Sequence, residues 1–139
     1  MKVYTDYVRI STKGEVDMID ITEDVQRIVS KSGIKNGMAL VFCVGSTCAV
    51  TTIEYEPGLK KDFPDALERL FPKNIPYEHH KTWHDGNGHS HVRASFLKPD
   101  LTVPVVNSRL TLGTWQQIVF VELDIRRRNR EIVVQVMGE

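Results

Sequence analysis

The last third of the chain constrains the fold most. Four runs rich in β-branched and aromatic residues, 102–106, 109–112, 117–123 and 131–137, follow one another with little but turns between them. Asn107-Ser108 has the length and residue types of a hairpin turn, and the charged stretch 124–130 suits a longer hairpin loop. Strands joined this way pair antiparallel. The N-terminal part adds more of the same. Residues 3–11 alternate moderately and read as a strand, Lys13-Gly14 turns, and 16–19 returns. The apolar run 38–44 and the β-branched run 49–55 predict two further strands, set off by Asn36-Gly37 and Pro57-Gly58.

Helices are fewer. Thr22 is expected to cap one in which Val25, Ile28 and Val29 form the apolar stripe, Glu23 and Asp24 suit the positive end, and Gly33 is the stop. Residues 59–71 place Phe63, Leu67, Leu70 and Phe71 on one face, with Pro64 at odds with a helix interior. The stretch 90–97 fits a helix or a strand. Residues 73–88 read as a long irregular loop, a kind of segment that is commonly functional in a compact domain. Roughly seven or eight strands with two or three helices imply an α+β, mainly β fold: an antiparallel β-sandwich with the helices packed on it. A length of 139 residues suits one core, so 1–139 is read as a single domain.

Composition excludes some partners. Formal net charge is zero, so the basic excess of a nucleic-acid binder is missing and self-association meets little repulsion. No apolar run approaches the roughly 18–20 residues of a membrane span. The N-terminus, Met1-Lys2-Val3-Tyr4-Thr5-Asp6-Tyr7, lacks the apolar core of a secretory signal, which predicts a cytoplasmic protein. In that compartment Cys43, within an apolar run, reads as a buried free thiol, and no disulfide with Cys48 is expected.

The chemistry concentrates in one place. All five histidines fall between positions 79 and 91. In an extended segment, His89 and His91 of His84-Asp85-Gly86-Asn87-Gly88-His89-Ser90-His91 share a face, and Gly86 and Gly88 let His84 fold back toward them. Three imidazoles with an open fourth position are the pattern of a catalytic zinc site. Carboxylate ligands would shift the preference to magnesium or manganese. His84, His89 and His91 are therefore the candidate ligands, with His79 and His80 set aside as bystanders in an exposed stretch. Glu54, Glu56 and Asp62 could complete a shell or act as bases, and as residue types they are equally ordinary surface carboxylates. Gly45-Ser46-Thr47 offers hydroxyls and N–H groups to a phosphate, although a plain turn is the commoner use. Arg126, Arg127, Arg128 and Arg130 form a basic tip that suits an anionic substrate, a nucleic acid, a neighbouring subunit or simply solvent. Asn107, Arg109, Trp115 and Gln116 are polar or aromatic within apolar β-rich sequence, so they line a pocket or interface or pack as a turn.

Three strings carry a family resemblance: Ser46-Thr47-Cys48-Ala49-Val50-Thr51-Thr52-Ile53-Glu54, the histidine segment continued through Val92-Arg93-Ala94-Ser95, and Asn107-Ser108-Arg109-Leu110-Thr111-Leu112-Gly113-Thr114-Trp115-Gln116-Gln117. With them the chain resembles, over nearly its whole length, the YjbQ family, also called the secondary thiamine-phosphate synthase family. The resemblance implies a jelly-roll-like sandwich, a homotrimer, and a metal-containing cleft near the subunit interface that uses His84 and His91. It also implies a weak thiamine-phosphate synthase activity, in which the thiazole phosphate nitrogen displaces pyrophosphate from hydroxymethylpyrimidine pyrophosphate. A divalent cation, zinc ahead of magnesium or manganese, would neutralise the leaving group. The expectation is thus a metal-binding enzyme acting on a phosphorylated small molecule. His84, His89 and His91 would hold the ion, and Glu54 or Asp85 would act as base or outer carboxylate. Arg109 and Arg93 would contact anionic groups, with Ser46, Thr47, Asn107, Trp115 and Gln116 lining the substrate. Many bacterial members carry a histidine, in a His-Thr-Ser-Ala pattern, where this chain has Ser46. That departure keeps a second expectation open, a trimeric metal- or ligand-binding protein without turnover.

Overall fold

The computed structural model describes residues 1–139. Its elements are β1 (Lys2–Ser11), β2 (Asp17–Asp20), α1 (Thr22–Ser32), β3 (Gly37–Cys43), β4 (Cys48–Ile53), α2 (Pro57–Leu70), α3 (Glu78–Trp83), α4 (Gly88–Leu97), β5 (Asp100–Val106), β6 (Arg109–Leu110), β7 (Gln117–Glu122) and β8 (Asn129–Gly138). They form two antiparallel sheets, one of five strands in the order β1-β8-β3-β5-β6 and one of three in the order β2-β7-β4. The expected α+β, mainly β sandwich is what the chain builds, with four helices where two or three were predicted.

Strand β7 explains the layering. Ile118 and Phe120 point into the core between the sheets, together with Val41, Val103, Ile132, Val134 and the α1 stripe of Val25, Ile28 and Val29. Val119 and Val121, followed by Leu123, point the other way and meet Leu67 of α2 and Ala94 of α4. Both faces of β7 are covered, so its sequence is an apolar run rather than an alternation. The small sheet is the middle layer, between the large sheet and helices α2 and α4, while α1 packs into the core between the sheets.

Local chemistry sets the helix ends. Thr22 begins α1 rather than capping it, because its hydroxyl is used elsewhere: it donates to Asp20 Oδ1 at 2.6 Å and accepts the Ile118 N–H at 2.9 Å, tying α1 to β7. Helix α2 starts earlier than predicted. Glu56 is its cap and accepts the N–H groups of Gly58 and Leu59, and Pro57 occupies the first turn, where a missing N–H costs nothing. Pro64 does lie inside α2, and the carbonyl it leaves without an intrahelical partner belongs to the exposed Lys60. The stretch expected to be irregular contains α3, and the ambiguous one is α4, whose small residues Ser90 and Ala94 are buried beneath it. Asn107 and Ser108 both have positive φ, 51° and 64°, and join β5 to β6 as the two-residue turn expected of them. No helix is long and apolar enough to cross a membrane.

The outer face of the large sheet is unusual. Register places Val3, Met137, Met38 and Pro104 in one row across β1-β8-β3-β5, and Tyr7, Val133 and Phe42 in another. Met38 is 47% exposed and Phe42 39%, so this apolar face is open in the single chain. At one end of it Gly37 pairs with both Gly138 and Val105, and a Cβ there would collide with the Met137 carbonyl oxygen. Gly37→Ala is expected to lower unfolding free energy by about 3 kcal/mol, read as a lower urea midpoint at unchanged m-value.

Candidate functional site

Of the six passages between the two sheets, three bear on the site: β1 to β2, β3 to β4, and β7 to β8. These three meet around a buried ion pair. Glu122, fully buried at the end of β7, accepts Arg130 Nε at 2.8 Å and Nη2 at 2.6 Å. It also accepts the Thr12 hydroxyl at 2.8 Å and the Asp124 N–H at 3.1 Å. Arg130 reaches on to Thr47 Oγ1 at 2.8 Å, so the first two of these crossings are tied to the pair by a threonine side chain and the third by the Asp124 N–H.

Asp124 extends this network outward. It accepts Arg128 Nε at 2.8 Å, the Ile125 N–H at 2.8 Å and the Thr47 hydroxyl at 3.2 Å. Burial alone would raise its pKa, but the Arg128 guanidinium and these hydrogen bonds override that and hold it below the usual carboxylate range.

Above Asp124 lies the turn between α3 and α4. The Asn87 amide nitrogen faces Asp85, the orientation in which it has acceptors, and donates to Asp85 Oδ1 at 2.8 Å and to His79 Nε2 at 3.1 Å. His79 stands beside His91, with ring centroids 4.4 Å apart, and its Nε2 is 3.5 Å from Asp85. Burial, and then His79, push the pKa of His91 down, which favours the neutral imidazole. His91 opens on a cavity of about 220 Å³ shared with Gly45, Ser46, Cys48 and Ser95. On the other side of Asn87, Asp85, Asp124, Arg126 and Arg128 line a smaller cavity of about 130 Å³.

The expected ligand set does not assemble. His89 and His91 are two residues apart on a helix, not on a strand, so they point to nearly opposite faces. His89 is fully buried and its Nε2 meets Glu15 Oε2 at 2.7 Å, while Lys73 holds the other Glu15 oxygen at 2.6 Å. His84 closes α3 in a left-handed conformation and is exposed. No three His, Cys, Asp or Glu side chains of the chain close on one point. The partner of His91 is His79, one of the two histidines set aside. The other, His80, accepts the Gly88 N–H at 3.2 Å.

The remaining candidates separate. Ser46 and Thr47 are at this site, as is Asp85. Arg93 is not a free anion ligand: it is buried and donates to the Phe71 carbonyl and Glu68, clamping α4 to the end of α2. Gln116 donates to Thr52 Oγ1 at 3.2 Å and lines a cavity of about 390 Å³ with Thr52, Lys98, Asp100 and Thr111. Trp115 beside it is 71% exposed. Asn107 and Arg109 are exposed at the β5–β6 turn, and Glu54 is exposed beyond β4. Sequence reasoning missed Glu15, Asn87, Asp124 and the Glu122–Arg130 pair. A carboxylate at the end of an otherwise apolar run was the signal available for Glu122.

The profile of the UPF0047 protein YjbQ-like family matches residues 6–139. The chain belongs to this family. A UPF0047 protein of Methanothermobacter thermautotrophicus is 42% identical over 139 residues, covering all of this chain and 95% of its own. The UPF0047 protein YugU of Bacillus subtilis is 37% identical over 133 residues, 94% of this chain and 97% of its own. Among solved structures, a YbjQ-like protein of unknown function from Sulfolobus solfataricus superposes with a TM-score of 0.94 at 40% identity, covering 99% of both chains. A YjbQ/UPF0047 family protein from Clostridium acetobutylicum gives 0.86 at 34% identity, covering 95% of this chain and 99% of its own. The family fold thus spans nearly the whole of this chain, crossings and histidine turn included.

Asp124 gives a pH test of the site's foundation. Its folded pKa is depressed, so the stability it contributes is complete above its unfolded value, near 4, and is lost as pH falls through the folded one. Asp124→Asn is expected to cost about 2 kcal/mol at pH 7. The gap to wild type should narrow in urea titrations below about pH 4.

Proposed function

We propose that this chain is a metal-assisted enzyme acting on a small phosphorylated molecule at the cleft around His79 and His91. The observation that carries the reading is the adjacent imidazole pair beside Asp85, between one cavity edged by hydroxyls and another edged by guanidinium groups. The donor chemistry fits an open site rather than a closed structural one. Two imidazoles, His91 kept neutral by burial, are donors that zinc accepts, with Asp85 as an outer carboxylate beside His79, and other positions stay free for phosphate oxygens or water. His79 and His91 would hold the ion, in place of the His84, His89 and His91 set. Once bound, the ion would supply positive charge to a leaving pyrophosphate.

The protein's own groups do the rest. Arg126 and Arg128 face the smaller cavity with N–H donors suited to phosphate. Ser46 and Ser95 offer hydroxyls in the larger one. In a thiamine-phosphate synthase reaction, the thiazole nitrogen forms a bond to the pyrimidine methylene carbon as the carbon–oxygen bond to pyrophosphate breaks. No protein nucleophile is needed, so catalysis reduces to alignment and charge neutralisation.

A homotrimer is part of the same reading. The open apolar face of the large sheet, with Met38, Phe42, Tyr7 and Val133, is a surface that a single chain leaves uncovered.

Zinc titrated into the protein is expected to bind with loss of at least about 100-fold in affinity in His79→Ala or His91→Ala, and little change in His84→Ala. Thiamine-phosphate formation from the two substrates should require the metal and fall to background in His91→Ala. Binding without turnover above that control would leave the non-catalytic alternative, which Ser46 at the histidine position of many relatives favours. Loss of neither binding nor turnover in the two variants would remove the site from the account. Phe42→Asp should convert a trimer to monomers by light scattering, and an unchanged mass would place the subunit contact elsewhere.

A further inference from the structure

We propose that Cys43 and Cys48 are a hydroperoxide-sensitive dithiol that closes into an intramolecular disulfide at the wall of the His91 cavity. The two residues are the last of β3 and the first of β4, at either end of the crossing loop 44–47. Both thiols are free, both belong to the core between the sheets, and each perturbs the titration of the other, which makes the sulfurs neighbours.

Access to them is unequal. Cys48 lines the cavity of about 220 Å³, whose other walls include Gly45, Ser46 and Ser95, all exposed, so the cavity reaches solvent. Both cysteines are buried, Cys43 at 0% and Cys48 at 1% exposure, and only Cys48 borders the cavity. A cavity of that size admits hydrogen peroxide with room to spare. The charge around the sulfurs points the same way. A Cβ built on Gly45 would sit 3.0 Å from Cys48 Sγ and 2.6 Å from Arg130 Nη1, so the guanidinium flanks that sulfur. The neighbouring Cys43 thiol lowers the pKa of Cys48, with Arg130 in the same direction and burial, Glu122 and Asp124 opposing it, so position at the cavity wall decides between the two thiols. Cys48 is therefore the attacking thiol and Cys43 the resolving one.

The chemistry balances with a hydroperoxide as the oxidant. The Cys48 thiolate attacks one peroxide oxygen, the O–O bond breaks, and hydroxide leaves with Cys48 as sulfenic acid. The Cys43 thiol then attacks the Cys48 sulfur, the S–O bond breaks, and water leaves as the disulfide forms. Two thiols and one hydrogen peroxide give one disulfide and two waters. A thiol reductant reverses the change by exchange. The disulfide would brace loop 44–47, which carries Ser46 and Thr47 into the cleft. The inference does not depend on the metal or on the enzymatic reading.

The test is oxidation of the intact protein with hydrogen peroxide. Wild type is expected to lose about 2 Da and both titratable thiols together, with Cys43 and Cys48 linked in one peptide and dithiothreitol restoring them. Cys43→Ala should stop at a Cys48 sulfenic acid that dimedone captures. Cys48→Ala should lose its remaining thiol at least about tenfold more slowly. Three results would overturn the proposal: both thiols surviving peroxide that oxidises a cysteine peptide, disulfides found only between chains, or equal dimedone labelling of the two variants. The wild-type mass change stands even if a variant fails to fold.

Discussion

Glu122 and Arg130 place two opposite charges inside a protein whose surrounding core is almost entirely apolar. Such a pair is costly to desolvate, and it is tolerable only where every remaining hydrogen-bonding position is filled. Here Thr12, Thr47 and the Asp124 N–H fill them, and these groups come from three of the six crossings between the sheets. The pair therefore fixes where each of these three passes. A sandwich held by apolar contacts alone could let its loops drift. In this one, displacement of any of the three would strand a buried charge. Asp124 and Thr47 share that rigidity through their own hydrogen bond, and above them Asn87 separately ties Asp85 to His79.

The sandwich was legible because its signals are local. Alternation in β1, the double-sided apolar run of β7, the α1 stripe and the Asn107-Ser108 turn each depend on a few neighbouring residues. The site was legible only as a neighbourhood. His89 and His91 share a face or oppose one another according to whether their segment is extended or helical, and a run of Gly, His, Ser and Arg does not decide between the two. Long-range packing decides it: Ala94 docks on the small sheet and Arg93 grips the Phe71 carbonyl, so the segment becomes α4. His79 was set aside because its stretch read as exposed. What brings it to His91 is α3, a short helix anchored by Tyr77, whose hydroxyl bonds the Pro72 carbonyl and whose ring lies against His80 and His89. None of those contacts has a sequence pattern.

Arg93 shows how a motif can be carried by structure rather than by chemistry. It sits in the most recognisable string of the chain, next to the histidines, and invites a role in anion binding. Its guanidinium is spent on the end of α2 and on Glu68, so it is the polar clamp that holds the helix presenting His91 to the end of α2. His89 is comparable: it joins Glu15 and Lys73 beneath the turn, fastening α4 to the first crossing from the opposite face. The string reads as one unit because it is one unit of assembly, with only some of its members facing the cleft.

The site combines a rigid floor with a less constrained roof. Glu122, Asp124 and Thr47 are buried and multiply bonded, and His89 is buried against Glu15, whereas 81–86 are exposed and hold few contacts beyond their own helix. Local opening costs least where buried apolar contacts are few. The turn that carries Asp85 can therefore move over the cleft while the imidazole of His91, fixed on α4 and against His79, stays in place. Substrate would enter against a floor already organised for charge, so the energy of organising it is met when the chain folds and not when the ligand binds. That division follows from the buried ion pair, because only a floor locked by the three crossings can leave its roof free.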